Sequence, residues 1–405
     1  MMIIHRHDLE ERINSSRKWV MVYGRRKTGK SYLVKNFVRY DYYFFVKRDS
    51  TIINGEQNLD YGAFIEILRI LMKENKTVVI DEFQRLPADF FDFIHHTEKN
   101  GKLIVISSTL LMARKLVDKN SPVLGFFEEI RVDLISIGDV LQELRGYHLD
   151  NDRLLELAII LREPLAIDYF DTETNHRDLI ERIVTGSLNS LSSLIGEIFI
   201  EEERELSKVY EGVIRAIANG NNSSTEISNS LFSQGLIGKN DPSIVQQYLN
   251  NLRNLGIIRK VTIFNRNKFS YQLISPLLRL FYYADEKYNV SEIDNKGEVI
   301  KKVVDSLMPR IVEDNVREAI AFNLGLTETI VNETGYDVDG VFLRFKEPQA
   351  TLEVKWTSRV SREDILKAEA SSARFDVKER LLFLKSKNGV ENQTSMKVID
   401  VTDLF

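Results

Sequence analysis

The densest cluster of chemistry-bearing residues falls near the N-terminus, in the run Gly24-Arg25-Arg26-Lys27-Thr28-Gly29-Lys30-Ser31. An apolar run, Trp19–Tyr23, precedes it and reads as a buried strand. Tyr32–Arg39 follows and reads as a helix, with Leu33 and Phe37 on one face. In that setting, two glycines with four residues between them, followed by Lys-Ser, predict a phosphate-binding loop. Gly24 and Gly29 permit a backbone path that turns N–H groups inward, where they and the helix N-terminus meet phosphate charge. Lys27 and Thr28 lie in the same loop. Lys30 is expected to reach the outer phosphates of a nucleotide, and Ser31 to ligate magnesium. The expected cofactors are ATP and Mg2+.

A second group of residues fits the first. Thr77-Val78-Val79-Ile80 is an apolar strand that ends in Asp81-Glu82. Asp81 is expected to hold magnesium through water, and Glu82 to polarise the attacking water as a general base. Away from a phosphate loop, such a pair would read as surface acids capping a turn. A further strand, Leu103–Ile106, runs into Ser107-Ser108-Thr109. Ser108 is placed to bond a γ-phosphate or the water, or else it belongs to an ordinary polar turn. Far along the chain, Asp337–Leu343 and Thr351–Trp356 read as two strands joined by Lys346-Glu347-Pro348-Gln349. Glu353 and Lys355 are two residues apart and share a face, and Asp339 can come alongside. Two carboxylates can hold a divalent cation while a lysine orients a water attacking phosphorus. The same residues can also form a plain cross-strand ion cluster.

The elements that must position these residues divide the chain. Residues 1–135 alternate short apolar runs (Trp19–Tyr23, Tyr42–Val46, Thr77–Ile80, Leu103–Ile106, Ile130–Leu134) with helical patterns. That alternation predicts an α/β fold with a parallel sheet covered on both faces. Residues 136–205 are helical in pattern and are expected to form a lid. In residues 206–284, Ser223–Ile227 opens a helix with a hydroxyl cap. Ser243–Leu255 is an amphipathic helix with Ile244, Tyr248, Leu249, Leu252 and Leu255 on one face. Ile257–Phe264 and Lys268–Ile274 then read as a hairpin turning at Asn265-Arg266-Asn267. Five bases and no acid lie between Arg253 and Lys268: Arg253, Arg259, Lys260, Arg266 and Lys268. The polar stretch 285–302 is expected to be a linker, and 303–405 a small α/β domain.

Taken together, Gly-Arg-Arg-x-Thr-Gly-Lys-Ser, Ile80-Asp81-Glu82-Phe83-Gln84 and the serine-rich strand end resemble the archaeal ATPase family of the AAA+/STAND group. That resemblance implies an ATPase module, a winged helix and a nuclease-like C-terminal domain. It also exposes a departure: the family pattern Pro-Leu-Tyr-Gly-Arg stands here as Pro122-Val123-Leu124-Gly125-Phe126, without the arginine. If that arginine serves the γ-phosphate, hydrolysis is slow or Arg131 or Arg114 substitutes. The helix-and-hairpin segment resembles a winged helix-turn-helix, which either contacts DNA through helix and wing or serves only as a packing module. The C-terminal strands resemble the PD-(D/E)XK nucleases. That resemblance adds Glu313, on the helix Ile311–Asn323, as a further metal-site acid.

Composition narrows the classes. The chain has 405 residues and is 43% hydrophobic, enough for several cores. Its net charge of −5 gives no whole-chain basic field, so nucleic acid would need a local patch. The absence of cysteine excludes disulfides, thiolate zinc sites and cysteine catalysis. No apolar run of membrane-spanning length stands out, and the start does not read as a signal peptide, so a cytoplasmic protein with no membrane partner is expected. The reading is an ATP-hydrolysing switch controlling a nucleic-acid-binding, metal-dependent nuclease domain, with homo-oligomerisation open. The alternative is a regulatory scaffold whose nucleotide state controls assembly without cleavage.

Overall fold

The structure is a computed structural model describing residues 2–404 except 111–120, 203, 205, 334, 389, 391 and 392. The chain forms two compact units: 6–134 with 193–206, and 1–5 with 135–192 and 207–405.

In the first unit, β1 (Trp19–Tyr23), β2 (Tyr42–Val46), β5 (Thr77–Asp81), β6 (Lys102–Ser107) and β7 (Phe127–Arg131) are parallel in the order β2-β5-β6-β1-β7. A hairpin of β3 (Ile52–Asn54) and β4 (Gln57–Leu59) adds antiparallel strands outside β2. The two-residue turn Gly55-Glu56 joins the paired Asn54 and Gln57, with glycine at the first central position and at φ 58°. Side chains alternate across the sheet. Trp19 and Met21 join Phe44, Phe64, Ile80 and Val105 on one face. Val20 and Val22 join Leu33, Val34, Ile104 and Ile106 on the other. The helix Lys30–Phe37 lies on that second face, starting directly from the loop after β1.

Strand β7 begins three residues before the expected Ile130. It is an edge strand with Phe127 and Ile130 buried and Glu129 exposed, a half-polar pattern that hides its start. The expected continuation, Val132 and Leu134, is buried without being strand, and the Val132 N–H donates to the Tyr23 carbonyl at 2.7 Å.

The second unit opens with helices Ile137–Leu144, Asn151–Ile160 and Pro164–Ile167 and the first part of His176–Glu201. Lys208–Ala218, Ser224–Ser233 and Pro242–Asn254 form a three-helix group, followed by the hairpin β8 (Ile258–Ile263) and β9 (Phe269–Leu273). The Pro242–Asn254 helix buries Val245, Leu249 and Leu252. Ile244, expected in that row, is 37% exposed instead.

The expected linker 285–302 is mostly helix. One helix runs Pro276–Tyr288 and the next begins at Lys296 and continues to Leu324. Pro309 lies inside that helix and hides its continuity, because proline removes one backbone donor. Burial of Val303, Val304, Met308, Ile311 and Val312 outweighs the lost bond.

The hairpin expected as a free wing is built into the C-terminal sheet. Its strand β8 pairs in parallel with β10 (Thr327–Glu333), Thr262 opposite Thr329. The sheet continues through β11 (Tyr336–Arg344), β12 (Glu347–Lys355), β13 (Glu379–Leu384) and β14 (Lys397–Ile399). Among the described residues, one helix, His176–Glu201, is long and apolar enough to cross a bilayer, with mean hydropathy 1.4 over its best window. Half of that window is buried inside the protein.

Candidate functional site

The phosphate loop owes its path to its glycines. A Cβ on Gly24 would stand 2.2 Å from the Val132 carbonyl oxygen, and Gly29, at φ 83°, starts the helix from a left-handed conformation. Thr28 is fully buried, and its hydroxyl donates to the Arg25 carbonyl at 3.0 Å. Lys27 is exposed at φ 64°. Arg6 pins the loop from outside, donating to the carbonyls of Thr28 at 2.7 Å and Asp133 at 3.0 Å. The Lys30 ammonium is buried and donates to the carbonyls of Gly24 (2.9 Å) and Arg25 (2.8 Å). Burial lowers it to about 8, against the raising pull of Glu82, Glu201 and Asp81.

Asp81 ends β5 and is 1% exposed. Its Oδ2 accepts from the Tyr43 hydroxyl at 2.5 Å, while Oδ1 is buried with no partner among the described residues. Tyr43 also shares a hydrogen bond with Ser31, and burial together with Asp81 pushes its phenol far above the usual range. Ser31, Tyr43 and Asp81 thus form one chain of hard oxygen groups with a spare carboxylate oxygen, a donor set that suits a magnesium ion. In the sequence, Tyr42–Val46 reads only as an apolar strand. The missed signal is a hydroxyl on the strand beside Asp81: Phe45 pairs with Asp81, so Tyr43 lies two residues back on the same face.

Glu82 follows at φ 59°. Its Oε2 accepts from Gln84 Nε2 (2.7 Å) and Ser108 Oγ (3.2 Å), and Arg85 Nη2 lies 2.9 Å away. Ser108 therefore meets Glu82 directly, and Gln84 bonds both.

The position of the absent arginine is not at this site. Strand β7 runs parallel to β1, with Phe127 opposite Trp19 and Arg131 opposite Tyr23. Phe126 therefore stands at the start of β1, roughly 16 Å of strand from Gly24. There its ring stacks on His95, with centroids 6.0 Å apart, and meets Trp19 edge-on. Arg131 is at the loop end and pairs with Asp133 at 2.9 Å. Arg114 lies outside the described residues.

Glu313 and Asp339 line a cleft of about 460 Å³ together with Arg310, Arg317 and Trp356, while Glu353 and Lys355 are not among its lining residues. Gly340 pairs with Leu352, which sets Asp339 beside Glu353 on adjacent antiparallel strands. Asp339 Oδ2 accepts from the Val354 N–H at 2.8 Å. Lys355 Nζ lies 3.4 Å from Glu353 Oε2, and Glu353 Oε1 is buried without a partner among the described residues. Burial, then the charge of Asp339, pushes Glu353 up to about 8. Glu313 is raised to about 8 by the same two causes.

Two features depart from the expected metal site. Among the described residues, no three of these acids bring one ligand atom each within 4.8 Å of one another. Also, the buried Arg317 lies 3.4 Å from Glu313 Oε1 and donates to the Asp339 carbonyl at 2.9 Å. Glu313 therefore faces a guanidinium, Glu353 pairs with Lys355, and Asp339 lies beside Glu353 and feels the Lys355 charge.

Arg317 belongs to a buried ion network that sequence reasoning missed. Asp314 accepts from Arg317 (2.6 Å), Arg279 (2.8 Å) and Gln272 (2.8 Å). Burial alone would raise its carboxyl, but Arg317, Arg279 and Arg259 hold it well below the usual range. Arg259 lies 2.9 Å from both Glu318 and Glu328. Arg266 pairs with Glu333. Of the five expected basic contacts, Arg259 and Arg266 thus serve ion pairs within the unit. Lys260 lies 3.3 Å over the Phe269 ring, and Arg253 and Lys268 are exposed.

Comparison with known proteins adds one family. Residues 16–131 match the family model described as AAA domain. An AAA domain therefore spans the phosphate-loop unit's sheet, less than a third of the chain. No curated protein matches the sequence. Among solved structures, the Aeropyrum pernix ORC2 protein in its ADPNP-ADP complexes is 13% identical, with TM-score 0.40, covering 75% of this chain and 92% of that one. The Aeropyrum pernix ORC1 protein in complex with DNA is 14% identical, with TM-score 0.32, covering 71% and 94%. Cdc6p from Pyrobaculum aerophilum is 12% identical, with TM-score 0.26, covering 75% and 94%. Likeness at this level transfers no residue roles.

Proposed function

We propose that this chain is an ATP-binding and ATP-hydrolysing switch whose C-terminal unit acts on nucleic acid. The observation that carries the nucleotide half is the combination of a desolvated Lys30 inside a glycine-shaped loop after β1 with the unpartnered Asp81 Oδ1 at the end of β5, the parallel strand one removed from β1. Loop amides of Gly24–Lys30 and the Lys30 ammonium bind the phosphates, and Ser31 and Asp81 would hold Mg2+. That ion, when bound, offsets charge building on the phosphate oxygens. Glu82 orients and deprotonates the attacking water, and Ser108, Gln84 and Arg85 fix its carboxylate in place. Calorimetry with ATP tests this half. Lys30→Ala should lose most of the affinity, and undiminished binding by that variant would remove the assignment.

For the C-terminal unit, the Glu353–Lys355 pair with Asp339 opposite it on the neighbouring strand supports a PD-(D/E)XK-like metal-dependent phosphodiesterase centre. Asp339 and Glu353 would hold the ion and Lys355 would orient the water. DNA contact falls to Arg253 and Lys268 and to the exposed Gln247 and Asn250 on the Pro242–Asn254 helix, with the winged-helix reading of 206–284 resting on its three helices and hairpin. The test is cleavage of assorted nucleic acids with Mg2+ or Mn2+, with and without ATP. A second reading is a regulatory scaffold, with no cleavage, that self-associates according to nucleotide state. The contact between Arg317 and Glu313 favours it, because a buried cation beside the acids opposes a second cation there. No cleavage, together with ATP-dependent change in oligomeric mass, would select that reading.

A further inference from the structure

Arg26 stands in the phosphate loop, yet its guanidinium is already committed. Its Nε lies 2.6 Å from Glu197 Oε2, and its Nη1 contacts Glu201 Oε1. Both carboxylates lie in the last two turns of the helix His176–Glu201, within the stretch that belongs to the phosphate-loop unit. Glu201 also acts on Lys30, ranking above Asp81 among the charges that raise it. Its Oε2 is buried without a partner among the described residues. The next residue, Glu202, accepts from the Leu110 N–H just beyond β6.

Carboxylates and phosphates seek the same cations and inward-pointing amides. A helix C-terminus is also an unfavourable place for two acids, and this helix has no basic residue in its last turn. Arg26 therefore both occupies the carboxylates and stabilises the helix end that carries them. We propose that Glu197 and Glu201 are an internal competitor for nucleoside polyphosphates: bound phosphates take Arg26, and segment 193–206 is released. This inference rests on the phosphate-loop reading. It makes Arg26 a phosphate-binding residue with two alternative partners and gives the loop a built-in readout of nucleotide occupancy.

The test uses the full chain and a fluorescent ATP analogue with Mg2+, on wild type, Glu201→Gln, Glu197→Gln/Glu201→Gln, Arg26→Gln and Lys30→Ala, with thermal melts to confirm folding. The double glutamine variant should bind at least fivefold tighter than wild type, with Glu201→Gln alone in the same direction. Arg26→Gln should bind more weakly and cancel the gain when combined with the glutamine changes. Hydrogen exchange across 193–206 should rise on nucleotide addition in wild type and be raised without nucleotide in the double variant. Wild-type binding that the glutamine changes leave equal or weaker overturns the inference alone. Binding undiminished by Lys30→Ala, or absent from every variant, removes the phosphate-loop reading and the inference with it.

Discussion

Replacing Glu353 by glutamine separates a metal-poised acid from an ordinary surface ion pair, because the two make opposite statements about pH. Glu353 is 5% exposed, and burial together with the charge of Asp339 pushes its carboxyl from the ordinary 4.5 up to about 8. The folded state therefore binds more protons than the unfolded chain between those values, and stability falls as pH rises through that window. At about 1.4 kcal/mol for each tenfold change in proton affinity, the window from 4.5 to about 8 sets a ceiling of about 5 kcal/mol. Asp339 shares the same repulsion, so about 2–3 kcal/mol is the reasonable expectation for Glu353 itself. Glutamine keeps the shape and cannot ionise. Urea unfolding of the C-terminal unit should show variant and wild type within about 1 kcal/mol at pH 5, and the variant more stable by about 2–3 kcal/mol at pH 8.5. Mn2+ at pH 8 should stabilise the wild type and leave the variant unmoved, because the ion offsets the charge that destabilises the pair. A difference between the two proteins that stays constant from pH 5 to 8.5 would refute the reasoning, whatever its size.

Three further outcomes follow from the geometry. Glu82→Gln should leave ATP binding intact and lower turnover by at least a hundredfold in a phosphate-release assay, because the base is lost while Ser108 and Gln84 keep their neighbour. Phe126→Arg should leave turnover unchanged within about twofold, since position 126 stands roughly 16 Å of strand from the loop; a large gain would mean that the residue serves a nucleotide other than its own chain's. Asp314→Asn should destabilise the C-terminal unit by about 3–5 kcal/mol in denaturant titrations, because Arg279 and Arg317 would keep their burial and lose their main counter-charge.

What was legible in the sequence was written within short windows. The strand Trp19–Tyr23, the loop and the helix behind it are contiguous, so their hydrophobic period and two glycines suffice to place Lys30. Asp81 is a separate element, yet it is marked by the apolar run that ends in it. The partners of these residues were not legible. Tyr43 reaches Asp81 only because β2 and β5 are neighbours, and in a parallel sheet neighbours are separated by a crossover whose length carries no register. Glu197 and Glu201 reach Arg26 across more than 170 residues, and nothing local to a helix end announces a distant arginine.

The same distinction explains the basic segment between Arg253 and Lys268. Counted along the chain it is five bases and no acid, a sound local sign of a polyanion partner. Its acids arrive from elsewhere: Glu318 from the long helix, Glu328 and Glu333 from the strand that β8 pairs with. Because β8 is an inner strand of the C-terminal sheet, a cation on it is as much a sheet residue as a surface one. Arg259 has two acids within 2.9 Å, and moving them apart would expose buried charge in the same network that holds Asp314. Charge clusters in one dimension thus predict binding surfaces only where the strand that carries them remains an edge. In this fold the surviving cations, Arg253 and Lys268, are those that the helix end and the hairpin turn keep outside the sheet.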